Sequence, residues 1–133
     1  MKLFGYPEWQ TYTDDHLSSF FELDTYFYSS FYTNNLFPEA IKFTNAYRKW
    51  YSKDMANTFP KYGMLGFDTA FFFLKGLHKY GSNFEENMNQ MMLTPIQTGF
   101  KFERVNNWGG FINRKVFFVN FTKNFELIKL DFE

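Results

Sequence analysis

Phe59-Pro-Lys-Tyr-Gly-Met-Leu-Gly-Phe-Asp-Thr-Ala-Phe-Phe-Phe-Leu-Lys-Gly-Leu-His-Lys-Tyr-Gly81 is the stretch whose reading decides the fold. Pro60 suits a helix start, and Gly81 a left-handed stop. Between them Leu65, Ala70, Phe71, Leu74 and Leu77 recur at helical spacing. Phe67, Phe72 and Phe73 widen that stripe until the helix is apolar nearly all round, which predicts cover on several sides. Gly63, Gly66 and Gly76 each cost the helix about 1 kcal/mol relative to alanine, so the expected compensation is close approach to a neighbouring backbone.

Upstream, Phe37-Pro38-Glu39 opens a second amphipathic helix that carries Ala40, Phe43, Tyr47 and Trp50 or Tyr51 on one face. Before it, Lys2–Tyr6 reads as a strand, Asp14–Glu22 as a short helix and Thr25–Tyr32 as a buried strand. The short helix takes Asp14 or Asp15 as cap and buries Leu17, Phe20 and Phe21. Downstream, Ser82-Asn83-Phe84-Glu85 is a capping-box pattern for a helix running to about Met91. Strands follow at Thr98–Val105, Lys115–Thr122 and Phe125–Leu130, with Asn106–Gly110 a loop and Lys123-Asn124 a two-residue hairpin turn. The order predicts an α/β sheet flanked by helices, with an antiparallel C-terminal β segment, in a single domain over residues 1–133.

Composition narrows the function. Of the 133 residues 25% are aromatic, with 21 Phe, 9 Tyr and 3 Trp. That is heavy for one core of this size, so some rings belong to an interface or cleft. The formal net charge is +0, so the electrostatic footprint of a nucleic-acid binder is missing. With no cysteine there is no disulfide framework, thiolate zinc site or cysteine nucleophile. No apolar run reaches the roughly 18 residues of a membrane span. Met1-Lys2 runs straight into a predicted strand, which leaves a cytosolic chain or a fragment whose targeting segment lies upstream.

No motif carries catalysis. His16 and His78 are the only histidines and stand near no carboxylate at ligand spacing; His78 suits a helix end. Asp14-Asp15 and Glu85-Glu86 read as helix-start charges rather than an acid–base pair. Gly109-Gly110 fits no phosphate-loop pattern and reads as a turn between strands. The tyrosines from Tyr6 to Tyr32 serve either as core on both sheet faces or as a stacking platform at a strand end. Glu8 and Trp9 fall where the first strand ends, and a carboxylate beside a ring suits an ammonium group.

Phe43, Tyr47 and Tyr51, then Pro60, then Gly66-Phe-Asp-Thr-Ala70, resemble a recurring pattern of type I periplasmic solute-binding proteins, including the leucine/isoleucine/valine binders served by ABC transporters. Phe67 replaces the family tyrosine, and Thr69 is inserted before Ala70. Gly5–Trp9 looks like the loop after a strand of the second lobe, and Pro95–Thr98 and Phe100–Arg104 resemble Bacteroidetes-type envelope proteins, some with a preceding LysM peptidoglycan-binding module.

The resemblance implies a partial periplasmic-binding-protein type I fold, the C-terminal part of a larger two-lobed protein in the periplasm or cell envelope. It implies a non-catalytic module with no cofactor and no metal, binding an amino acid or other small solute in the full-length protein. Glu8 would contact the ligand ammonium, Trp9 and Tyr32 would line the cleft, and Asp68 would organise the hinge region. The first lobe's carboxylate-binding residues have no counterpart in this sequence. The alternative is an interaction domain that has lost small-molecule binding, its rings packed on the remaining lobe of the parent chain or on a second copy. A glycan-processing hydrolase would need two carboxylates facing each other across a pocket.

Overall fold

The computed structural model describes residues 1–131. Strand β1 (Leu3–Gly5) leads through a 3-10 turn at Pro7–Tyr12 into helix α1 (Thr13–Glu22) and then strand β2 (Thr25–Ser29). The two strands pair in parallel, with Leu3 opposite Thr25 and Gly5 opposite Phe27. A side chain at Gly5 would overlap the Phe27 ring and stand 2.9 Å from the Trp9 ring, so only glycine lets the chain turn there. Asp14 and Asp15 lie in the first turn of α1, not at the cap, which Tyr12 occupies without a side-chain bond. Their charge acts through the helix dipole instead. Phe20 is buried and Phe21 half-buried, but Leu17 is exposed, because α1 presents only its C-terminal half to the sheet core.

Strand β5 (Phe117–Phe121) runs antiparallel beside β2, and β6 (Leu127–Asp131) runs antiparallel beside β5. The mixed sheet therefore has the order β1-β2-β5-β6. Strand period places Thr25, Phe27 and Ser29 on one face with Val119 and Phe121, and all five are buried. Phe20 closes this first core edge-on, its ring centroid 5.1 Å from Phe27 and 5.7 Å from Phe121. Each ring so buried contributes about 1.5–3 kcal/mol by removal from water. The opposite face is more open, where Phe4 stacks on Tyr28 at 5.7 Å. The β5–β6 turn is longer than the predicted two residues. Thr122 donates its N–H to the Glu126 carbonyl, and Phe125 takes the left-handed conformation (φ 61°) that a three-residue loop requires, so β6 starts at Leu127.

The second half holds α2 (Pro38–Tyr51), α3 (Tyr62–Tyr80), α4 (Phe84–Asn87) and a hairpin of β3 (Phe102–Arg104) and β4 (Phe111–Asn113). Pro38 opens α2 as its sequence predicts, and Gly81 (φ 54°) ends α3. A second core forms from Phe72, Phe84 and Met88, with Phe100 stacked on Phe72 at 4.4 Å.

Five expectations change here. The predicted helix to about Met91 is broken into 3-10 and α turns without a side-chain cap, and Glu85 pairs with Arg104 instead. The predicted strand from Thr98 narrows to Phe102–Arg104, because Thr98 bridges to Phe31 rather than to β4. Gly76 meets the Phe84 ring rather than a backbone, and Gly66 meets nothing within 4 Å. Trp50 and Tyr51 are both exposed, although the helical spacing places one or the other on the apolar face with Ala40. Finally, α3 buries only the line Met64, Asp68, Phe72 and Gly76, leaving Phe67, Phe71, Leu74 and Leu77 exposed. The sheet core is already filled by α1, so α3 packs instead on α4, on Phe100 and on the β3–β4 hairpin, with Phe67 against Phe43 of α2.

Candidate functional site

The two cores meet along a short junction. Tyr32 donates its N–H to the Gln97 carbonyl at 2.9 Å, Gly99 donates to the Ser30 carbonyl at 3.4 Å, and Phe31 bridges to Thr98. Beside this junction opens a cleft of about 380 Å³. Tyr32 and Asn34 come from the segment after β2, Phe37 and Ala40 from the start of α2, and Phe117 and Lys129 from the sheet. Glu39, Gly99, Phe100 and Lys115 complete the lining, and the loop Leu93–Gln97 forms one wall.

That wall is held by one carboxylate. Asp68 lies mid-way along α3, 3% exposed, and accepts N–H bonds from Ile96 on Oδ1 and from Gln97 and Thr98 on Oδ2, all at 2.8 Å. A carboxylate accepting several backbone N–H groups is satisfied without a cation. Gln97 then reaches back to the start of α3. Its Oε1 accepts the Lys61 N–H at 2.9 Å, and its Nε2 donates to the Lys61 carbonyl at 3.2 Å. One orphan donor of the helix start is thereby satisfied from a residue far along the chain. The result is a preformed wall, the condition for binding without reorganisation.

The residues singled out from sequence do not form one cluster. Tyr32 lines this cleft, half-buried, with the Lys129 ammonium 5.8 Å from its ring centre. Burial pushes the Tyr32 phenol above its ordinary range. Glu8 is exposed in the 3-10 turn and lines a different cavity, of about 280 Å³, at the ends of β1 and β2 with Ser29, Phe31 and Pro60. Trp9 packs half-buried against the first core and edge-on to Tyr6 at 6.1 Å, so its ring is chiefly structural. Asp68 touches the loop rather than open space.

Sequence reasoning overlooked Gln97 and the Lys61 backbone as the partners that set the wall. One signal was present: an aspartate in an otherwise apolar helix demands donors if buried. His16 and His78 are both exposed. Among the described residues no three His, Cys, Asp or Glu side chains gather as a metal site would require. Among the described residues no helix is long and apolar enough to cross a membrane. No protein-family model, curated protein or solved structure matches the chain.

Proposed function

We propose that this chain is a non-catalytic binding or scaffolding module, similar to part of a type I solute-binding protein of the periplasm or cell envelope, and that its solute site is the cleft beside Tyr32. The observation that carries the reading is the preformed wall. Three 2.8 Å bonds to Asp68 fix a loop that faces Tyr32, Phe37 and Phe117 across about 380 Å³. A space of that size, lined by rings, two amides and the charged Glu39, Lys115 and Lys129, suits a small molecule with an apolar body and a charged head. An amino acid has that form. Thermal-shift titration of the 133-residue chain with the common amino acids tests the proposal. A solute at a hundred times its Kd stabilises by about 2.7 kcal/mol. Tyr32→Ala should abolish the shift, while Glu8→Gln should leave it. The reverse pattern would move the site to the Glu8 cavity, and no shift with any solute would discard solute binding.

The scaffolding reading has its own support. Trp50, Leu74 and Leu77 stand open to solvent on α2 and α3, an apolar surface of the kind that marks an interaction site.

A further inference from the structure

Two of the charges that line the cleft beside Tyr32 are ammonium groups, and both stand over one ring. The Lys129 Nζ lies 4.4 Å from the centre of Phe117, and the Lys115 Nζ 5.4 Å from it. They reach that ring from different elements. Lys129 stands opposite Val119, so strand alternation puts it on the same sheet face as Phe117. Lys115 comes from the segment between β4 and β5. Asn113 fixes its backbone: Oδ1 accepts the Lys115 N–H at 3.1 Å, while Nδ2 donates to the Gly99 carbonyl at 2.6 Å. A side chain at Gly99 would overlap the Lys115 Cγ and stand 2.6 Å from the Phe117 Cζ, so glycine there leaves room for the lysine stem beside the ring.

A lysine on an edge strand keeps that edge from pairing with another chain, which accounts for Lys129. It does not account for Lys115, which lies on no strand. Glu39 is the one carboxylate among the described residues of the lining. It sits in the first turn of α2, where the helix dipole already favours a negative charge. Two cations against one such anion make the lining complementary to an added negative charge.

We infer that the cleft takes a carboxylic acid with an apolar body. Its carboxylate is held by the Lys115 and Lys129 ammoniums beside Phe117, its body lies against Tyr32, Phe37 and Phe100, and no amine is required. This rests on the cleft being a solute site, and it names the class of solute. Each ammonium has three N–H donors, so each can hold a solute oxygen together with a contact inside the chain. The ring-lined walls lower the local polarity, so the attraction exceeds that of a lysine–carboxylate pair in open water. An amine with the same body would meet two like charges instead, which disfavours it.

3-Phenylpropionate and 2-phenylethylamine share a phenyl body and differ in the sign of the head. Calorimetric titration of the 133-residue chain with each of them tests the inference. The acid should bind and the amine should not. Lys115→Met and Lys129→Met keep an apolar stem and should each weaken binding of the acid at least tenfold. Lys101→Met removes the same charge outside the cleft and should stay within twofold of the wild type. Circular dichroism checks that each variant is folded, and the exposed Lys129 decides the matter if the half-buried Lys115→Met misfolds. An amine that binds as tightly as the acid, or cleft variants that match Lys101→Met, overturn the carboxylate assignment and leave the cleft as a solute site. Binding of neither probe also overturns it, and the amino-acid titration against Tyr32→Ala then decides separately whether the cleft holds any solute.

Discussion

Replacing Asp68 with asparagine perturbs the junction at its most connected point. The carboxylate is 3% exposed and accepts three N–H groups at 2.8 Å. Asparagine keeps the shape but offers one acceptor oxygen and one donor group. Its better orientation places oxygen where Oδ2 lies, so the Gln97 and Thr98 bonds survive as neutral ones, and the Ile96 N–H then faces another donor. Charge-assisted bonds exceed neutral ones by about 1 kcal/mol each, and an unsatisfied donor costs about 1–3 kcal/mol. The gross loss is therefore about 3–5 kcal/mol. Relief of carboxylate desolvation offsets part of it. The net expectation is a destabilisation of about 2–4 kcal/mol, a large share of the roughly 5–15 kcal/mol that holds a domain folded. Urea unfolding followed by circular dichroism at neutral pH measures it, with an unchanged m-value expected. In a chain of this length the midpoint of thermal unfolding should fall by about 10 °C. A change under about 0.5 kcal/mol, the range of ordinary surface substitutions, would refute the claim that this carboxylate fixes the wall.

Gly76→Ala should destabilise by about 1–3 kcal/mol despite the gain in helix propensity, because the new methyl overlaps the buried Phe84 ring; unfolding curves for the pair of proteins decide the sign. Phe72→Ala, at the centre of the second core, should cost about 3–5 kcal/mol in the same assay. Burial raises the Tyr32 phenol in the folded state, so its protonated form is favoured by folding. Its contribution is complete below the ordinary tyrosine pKa and is lost as pH climbs through the higher folded value. Stability plotted against pH should therefore fall less steeply above about pH 10 in Tyr32→Phe than in the wild type, and identical slopes would contradict the assignment.

The sequence by itself determined the elements whose signals are local. Pro38 at the start of α2 and Gly81 at the end of α3 set helix limits through backbone chemistry alone. The aromatic, β-prone run Thr25–Tyr32 marked β2, although the strand itself stops at Ser29. The mixed α/β character followed from that order of elements. Periodicity also identified α3 as strongly apolar, and the excess of rings pointed to a surface beyond the core.

Tertiary structure decided which apolar residues are covered and which polar ones meet. An all-round apolar helix does not say which side is buried; α1 filling the sheet core and α4 docking on α3 made that choice. The separation of Glu8 from Tyr32 depends on where two loops leave the sheet, which no spacing encodes. The partners of Asp68 lie 28 to 30 residues away along the chain. Such a contact exists only after the chain has closed on itself, since hydrogen bonds to a buried carboxylate depend on distance in space and not on neighbourhood in sequence.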